Sequence, residues 1–107
     1  MWIERKWGQY FVMEDWRTLK VKKLLIDSGG KISYQKHHER SEDWYIVRGT
    51  GVAKIAGQLF YVGPGSHVSV PVGTWHDIQN LSSETMVIIE VQRGTKCDED
   101  DIIRETT

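Results

Sequence analysis

Apolar and polar residues alternate along much of this chain with a period of two, the spacing of strands buried on one face. After a break at Gly8, Tyr10-Phe11-Val12 predicts a short first edge strand. In Thr18 to Asp27, Leu19, Val21 and Leu24-Leu25-Ile26 alternate imperfectly with Lys20, Lys22 and Lys23. These lysines read as a solvated edge that discourages sheet-to-sheet pairing, with a phosphate site as the alternative. Asp27-Ser28-Gly29-Gly30 is turn chemistry. Trp44 to Val47 and Val52 to Ile55 are β-rich runs joined through Arg48-Gly49-Thr50-Gly51, and Ile55 to Leu59 reads as a tight hairpin. Gly63-Pro64-Gly65 and Pro71-x-Gly73 punctuate the chain before a last long strand, Met86 to Gln92. No window sustains a helical period. Only the tail after Cys97 suits a turn or two, with Asp98 to Asp101 as an acidic helix start. Roughly seven to nine short strands between Gly-rich turns predict an all-β, antiparallel sandwich or barrel.

At 107 residues the chain is one domain's worth, with a single core over residues 1–107. Its five tryptophans give either a heavily packed core or an aromatic-lined cavity. A net charge of −1 provides no basic field, so neither nucleic acid nor an anionic membrane is expected as a partner. The single Cys97 cannot form an internal disulfide, and no apolar run approaches the roughly 20 residues that span a bilayer. The expected location is the cytoplasm. Asn80-Leu81-Ser82 matches a glycosylation sequon, which has no weight there.

Candidate chemistry concentrates between Gly29 and Gly49. Gln35, His37, His38, Glu39 and Glu42 crowd into a few positions. Strand alternation points Gln35 and His37 one way and His38 the other. In Glu42-x-Trp44-x-Ile46 the carboxylate shares the face of the large apolar residues, where it needs a partner. Gly65-x5-Pro71-x-Gly73-x2-His76-x3-Asn80 supplies one, with His76 opening a return strand. Two imidazoles, an amide oxygen and a carboxylate suit a borderline or hard divalent metal.

Gly29-x5-Gln35-x-His37-x4-Glu42-x6-Gly49 resembles the first cupin motif with glutamine in place of its first histidine, and Gly65 to Asn80 resembles the second. The resemblance implies a cupin jelly roll, a β-barrel or sandwich. It extends through Arg5-Lys6-Trp7-Gly8-x-Tyr10, Lys20 to Leu24, Gln35-x-His37-His38-x-Arg40-x-Glu42-x-Trp44, Ile89-Glu90-Val91-Gln92-x-Gly94 and Glu99-Asp100-Asp101-Ile102-x-Arg104. These segments are similar to the C-terminal cupin domain of type II mannose-6-phosphate isomerases, commonly fused behind a mannose-1-phosphate guanylyltransferase.

The resemblance implies a metal-dependent aldose-ketose isomerase that interconverts mannose 6-phosphate and fructose 6-phosphate through an enediol. Gln35, His37, Glu42 and His76 would hold a divalent ion (Zn, Mn, Fe, Co or Ni). Arg40 and Arg104 match family arginines and would take the sugar phosphate. Glu39 and His38 are the nearby candidates for the base. Glu90 and Gln92 are expected to line the pocket. Glu39 and Asp43 replace family histidines and add negative charge near the site. The alternatives are a non-catalytic cupin that binds sugars or nucleotide sugars and, further off, an iron-dependent dioxygenase. Short jelly rolls leave edges that pair, so a homodimer is expected.

Overall fold

The computed structural model describes residues 1–105, which form eleven strands and no helix. In chain order these are β1 (Trp2–Arg5), β2 (Gly8–Asp15), β3 (Leu19–Ile26), β4 (Gln35–Lys36), β5 (Arg40–Arg48) and β6 (Gly51–Ile55). They continue with β7 (Gln58–Val62), β8 (His67–Val70), β9 (His76–Asn80), β10 (Met86–Gly94) and β11 (Ile103–Arg104). One sheet runs β1-β2-β3-β10-β5-β8 and the other β11-β4-β9-β6-β7. Their pairs are antiparallel, and the two sheets form a jelly roll.

Period-two burial gives the larger sheet one inner face, supplied by Lys20, Lys22, Leu24 and Ile26 of β3, Arg40, Glu42, Trp44 and Ile46 of β5, and alternate residues of β10. The register sorts that face along its length. Ile46, Ile88 and Leu24 form one cross-strand row, Trp44, Glu90 and Lys22 the next, and Glu42, Gln92 and Lys20 the last. The apolar end packs with Ala53, Val62 and Ile78 of the opposite sheet into the core. The polar end faces the same interior, and there the molecule opens a cavity whose lining includes Trp7, Ile32 and Ile102.

The first edge strand is β1, which pairs with β2 through Trp2↔Phe11 to Arg5↔Gly8, so the expected aromatic edge is the second strand in. Backbone pairing requires no apolar period, and Glu4-Arg5 gave no sign of it. Lys20 and Lys22 are not a solvated edge either: β3 lies between β2 and β10, and both lysines are buried on the inner face. The tail makes no helix among the described residues. Its acidic run is a turn leading into β11.

The β6–β7 hairpin turns through Ala56 and Gly57, both at positive φ, as a two-residue turn of right-handed strands requires. Gly94 is needed for close approach, because a Cβ there would collide with the Glu39 carbonyl oxygen. Asn80 is fully buried, its amide spanning the Ile26 and Glu84 carbonyls at 2.9 and 2.7 Å. Its role is to fasten the β9–β10 connection.

Candidate metal centre and cavity

Three short stretches converge to make the site. β4 ends at Lys36, one residue before His37, β5 carries Glu42, and β9 opens at His76. Gln35 lies directly opposite His76 in the β4–β9 register. The turn before β9 is tied to the first stretch by the Gly73 N–H, which donates to the His37 carbonyl at 2.7 Å. One ligand-type atom from each of His37, Glu42 and His76 lies within 4.8 Å of the others, and all three residues are buried. His37 Nε2 is 3.0 Å from Glu42 Oε2, and His76 Nε2 is 3.6 Å from Glu42 Oε1.

Hydrogen bonding fixes which nitrogen each ring offers. His37 Nδ1 is 2.6 Å from the Asp101 carbonyl oxygen and His76 Nδ1 is 2.8 Å from that of Thr74. A carbonyl only accepts, so each Nδ1 carries the proton. In the neutral rings Nε2 is left as a lone pair turned toward the carboxylate. Burial is the largest influence on His76 and favours the neutral ring, pushing its pKa down against the charge of Glu42, which raises it. His76 Nε2 is buried with no hydrogen-bond partner among the described residues. The Arg40 guanidinium meets the His37 lone pair at 3.2 Å, but the His76 lone pair repels the carboxylate unless a cation stands between them, and an imidazole anchored through its other nitrogen is how proteins present a metal ligand. The donor set fits a divalent ion.

Glu42 is held from its other side by Arg40 Nε at 3.2 Å and Trp44 Nε1 at 3.1 Å. Burial raises its pKa, but whenever the rings also carry a proton on Nε2, the hydrogen bond from His37 and the imidazolium charges of His76 and His37 outweigh burial and hold the carboxyl below its usual range.

Beside this cluster lies a cavity of about 510 Å³, onto which Gln35, Arg40 and Glu42 open. Its lining includes six cationic side chains, Arg5, Lys6, Lys22, Lys31, Arg40 and Arg104, against the carboxylates Glu42, Glu90 and Glu99. That excess of positive charge favours an anionic ligand. Glu90 and Gln92 lie in the wall as expected. Glu90 accepts hydrogen bonds from Trp44 Nε1 at 3.1 Å and Gln92 Nε2 at 2.8 Å. Burial, and then the charge of Glu42, push its carboxyl up to about 8.

A measurable pH dependence follows from Glu90. Between about 4.5 and about 8 the folded protein keeps a proton that the unfolded chain has released. The Glu90 contribution to the unfolding free energy of the metal-free protein should therefore fall as pH rises through that window and level off above it, opposed up to about 6.5 by His76, whose pKa is lowered in the folded state. Glu90→Gln should remove this part of the slope, as chemical denaturation at several pH values would show. An unchanged slope would mean Glu90 is ionised throughout.

The other expected residues divide. Arg40 lines the cavity, but its guanidinium is also engaged with Glu42, with the Asp98 carbonyl at 2.9 Å, and with His37 Nε2 at 3.2 Å. Arg104, on β11, lines the cavity and is exposed. Glu39 is not brought to the cavity: its carboxylate accepts a hydrogen bond from the Thr95 hydroxyl. Asp43 lies on the opposite face of β5, bonded to His67 at 2.8 Å and Ser69 at 2.7 Å. The two acidic replacements therefore put no charge on the cavity wall. His38 is exposed, and His67 stacks on Tyr45 at the surface.

Two contributions escaped sequence reasoning. Asp101 anchors His37 through its carbonyl and receives the His38 and Glu39 backbone N–H groups on its carboxylate at 2.9 and 2.7 Å. Lys22, read as edge, faces the cavity. The match of Asp101 to a family motif was the available signal for the first. For the second, the signals were strand parity, the family match of Lys20 to Leu24 and the phosphate-site alternative for its lysines.

Fold and site together define a cupin. A solved structure of the capsular polysaccharide assembling protein CapF from Staphylococcus aureus superposes with a TM-score of 0.87 at 21 % identity, covering 100 % of this chain and 34 % of that one. A cupin-2 domain from Rhodospirillum rubrum gives 0.78 at 17 % identity, covering 92 % and 65 %. Within the cupins, residues 1–106 match the family described as mannose-6-phosphate isomerase C-terminal, and the chain belongs to that family. A curated relative, the mannose-1-phosphate guanylyltransferase ManC of Salmonella typhimurium, is 31 % identical over 102 residues, which are 95 % of this chain and 21 % of that protein. The chain thus spans about a fifth of the length of such relatives.

Proposed function

We propose that this domain is a metal-dependent aldose-ketose isomerase acting on a sugar phosphate, with mannose 6-phosphate and fructose 6-phosphate as the pair. The observation that carries the reading is the paired imidazoles, each protonated on Nδ1 by its carbonyl partner and turned with Nε2 toward Glu42, beside a cavity with excess positive charge. His37, Glu42 and His76, with Gln35 beside them, would hold the divalent ion. Bound there, the ion supplies Lewis-acid stabilisation for the oxygen that gains charge as a carbonyl moves between neighbouring carbons.

The chain's own residues supply the rest. Arg40 steadies Glu42, and Arg104 adds positive charge where the phosphate enters. Glu90, in the wall and with a pKa near neutrality, is the group suited to carry a proton from one carbon to the next. We place the protein in the cytoplasm as a homodimer. The uncharged edge strand β7, with Leu59, Phe60 and Tyr61 exposed, supports pairing.

A second reading is favoured by the relatives' names: the domain binds a sugar or nucleotide sugar without turnover, in the service of a guanylyltransferase. Proton NMR of the metal-loaded protein with mannose 6-phosphate in D2O, beside a chelated control, separates the two. Metal-dependent fructose 6-phosphate carrying deuterium next to the carbonyl is the expected result. Bound metal with an unchanged sugar would give the second reading the field.

A further inference from the structure

Lys22 and Glu99 make a second feature of the cavity wall. Lys22 sits in the middle of the larger sheet with its side chain 7 % exposed, and its Nζ lies 2.5 and 3.1 Å from the two oxygens of Glu99. The Tyr10 hydroxyl donates to the same carboxylate at 3.3 Å, Arg5 donates to that hydroxyl at 3.4 Å, and Lys20 Nζ is 3.8 Å from Glu99 Oε2. The surroundings are more cationic than one carboxylate requires. They are also lopsided: the ammonium is built into the sheet, whereas the carboxylate is brought by a loop and its side chain is 46 % exposed.

A buried ammonium without an anion is costly, so something negative must always face Lys22. Glu99 meets that need with two oxygens. A phosphate monoester offers three and close to two charges, which makes it the stronger partner. The position suits a phosphorylated substrate of the metal centre. Lys22 is the cross-strand neighbour of Glu90, which is the neighbour of Trp44, and Trp44 shares its face of β5 with Glu42. Lys22 and the Glu42 strand are thus two strand spacings apart, about 10 Å between backbones. With both side chains directed at one cavity, an open-chain hexose bearing a terminal phosphate can touch both.

The geometry points to Lys22, assisted by Tyr10 and Arg5, as the seat of the substrate's phosphate, with Glu99 as an internal anion that holds the seat and gives way when phosphate enters. The loop is pinned on both sides of Glu99. The Cys97 N–H donates to the Arg17 carbonyl at 2.7 Å, and Asp101 holds the His38 and Glu39 amides. A rotation of the Glu99 side chain therefore clears the seat with the loop in place. This inference rests on the sugar-phosphate reading and names the residue that recognises the phosphate.

The test is calorimetric titration of the full chain, metal loaded, with mannose 6-phosphate and separately with inorganic phosphate, followed by 31P NMR. Glu99→Gln should tighten both several-fold, because it removes the internal competitor. Lys22→Gln should weaken both about tenfold or more, with Lys22→Arg recovering most of the loss and metal content unchanged in all three. The proposal is overturned if Glu99→Gln leaves affinity unchanged or lowers it, if Lys22→Gln binds as the parent does, or if neither phosphate binds the parent. Phosphate binding that responds to both variants without sugar turnover would count against the isomerase alone. Turnover with phosphate binding indifferent to both would count against the seat alone.

Discussion

Replacing His76 with alanine should leave the protein folded and strip it of divalent metal. The ring is buried at the start of β9, its Nδ1 is tied to Thr74, and its Nε2 faces Glu42 with no other partner. No hydrogen bond of the fold runs through that nitrogen, so its loss falls on whatever occupies the space between the rings and the carboxylate. Residues that only orient a ligand typically cost ten- to hundredfold in metal affinity, and removal of a ligand should cost about a hundredfold or more. His38→Ala and His67→Ala, both at the surface, should bind metal as the parent does. Metal content after gel filtration, with thermal unfolding as the fold control, reads the result. Unchanged metal in the His76 variant would remove the site as drawn.

The second large effect belongs to Trp44. It is 1 % exposed, its ring lies edge-on to His76 with centroids 5.6 Å apart, and its N–H is shared between Glu42 and Glu90. Trp44→Ala should lower the unfolding free energy by about 3–5 kcal/mol, the usual range for an aromatic removed from a packed core. Trp44→Phe separates packing from hydrogen bonding. It keeps an aromatic ring in place but removes one donor from each of two buried carboxyl groups, leaving Glu42 with Arg40 and Glu90 with Gln92, at about 1–3 kcal/mol in all. Urea denaturation measures both losses. Since Glu42 also loses part of its orientation, metal affinity of the phenylalanine variant should drop while the fold persists. Equal stability of the parent and the phenylalanine variant would mean that the N–H contributes nothing.

How far the sequence foretold this arrangement depends on what each residue does. The convergence of His37, Glu42 and His76 was legible because their spacing combines ligand chemistry with turn residues at fixed offsets, whereas Gln35 is brought opposite His76 in the register with its amide oxygen accepting from the Ser33 hydroxyl at 3.1 Å. The hairpin at Ala56-Gly57 was legible through Gly57, since a positive φ favours glycine at that position, while Ala56 adopts its positive φ without a residue type that announces it. Strand β1 was not, because its pairing is made by backbone groups that every residue has. The inward lysines illustrate a different limit. Alternation says that Lys20 and Lys22 share a face with Leu24 and Ile26, yet charge argues for solvent. Only the cavity and the Glu99 carboxylate, which lies 77 residues from Lys22 in sequence, reverse that preference.

The acidic run from Asp98 to Asp101 misled for a related reason. As isolated sequence it has the charge of a helix start, but Asp101 spends its carboxylate on the His38 and Glu39 amides and its carbonyl on His37. Those bonds cross the fold and leave no local trace. Arg40 shows the same thing from the other direction. A forked cation after a histidine cluster fits phosphate by its chemistry, and the fold sets it between Glu42, His37 and the Asp98 carbonyl.

The most direct test of the metal centre is X-ray absorption spectroscopy of the protein loaded with one equivalent of zinc. One tightly held ion per chain is expected, with two imidazole nitrogens at about 2.0–2.1 Å, completed by oxygen ligands, and one imidazole shell should be lost in His76→Ala. A spectrum without imidazole scattering, or one that His76→Ala leaves unchanged, would contradict this expectation.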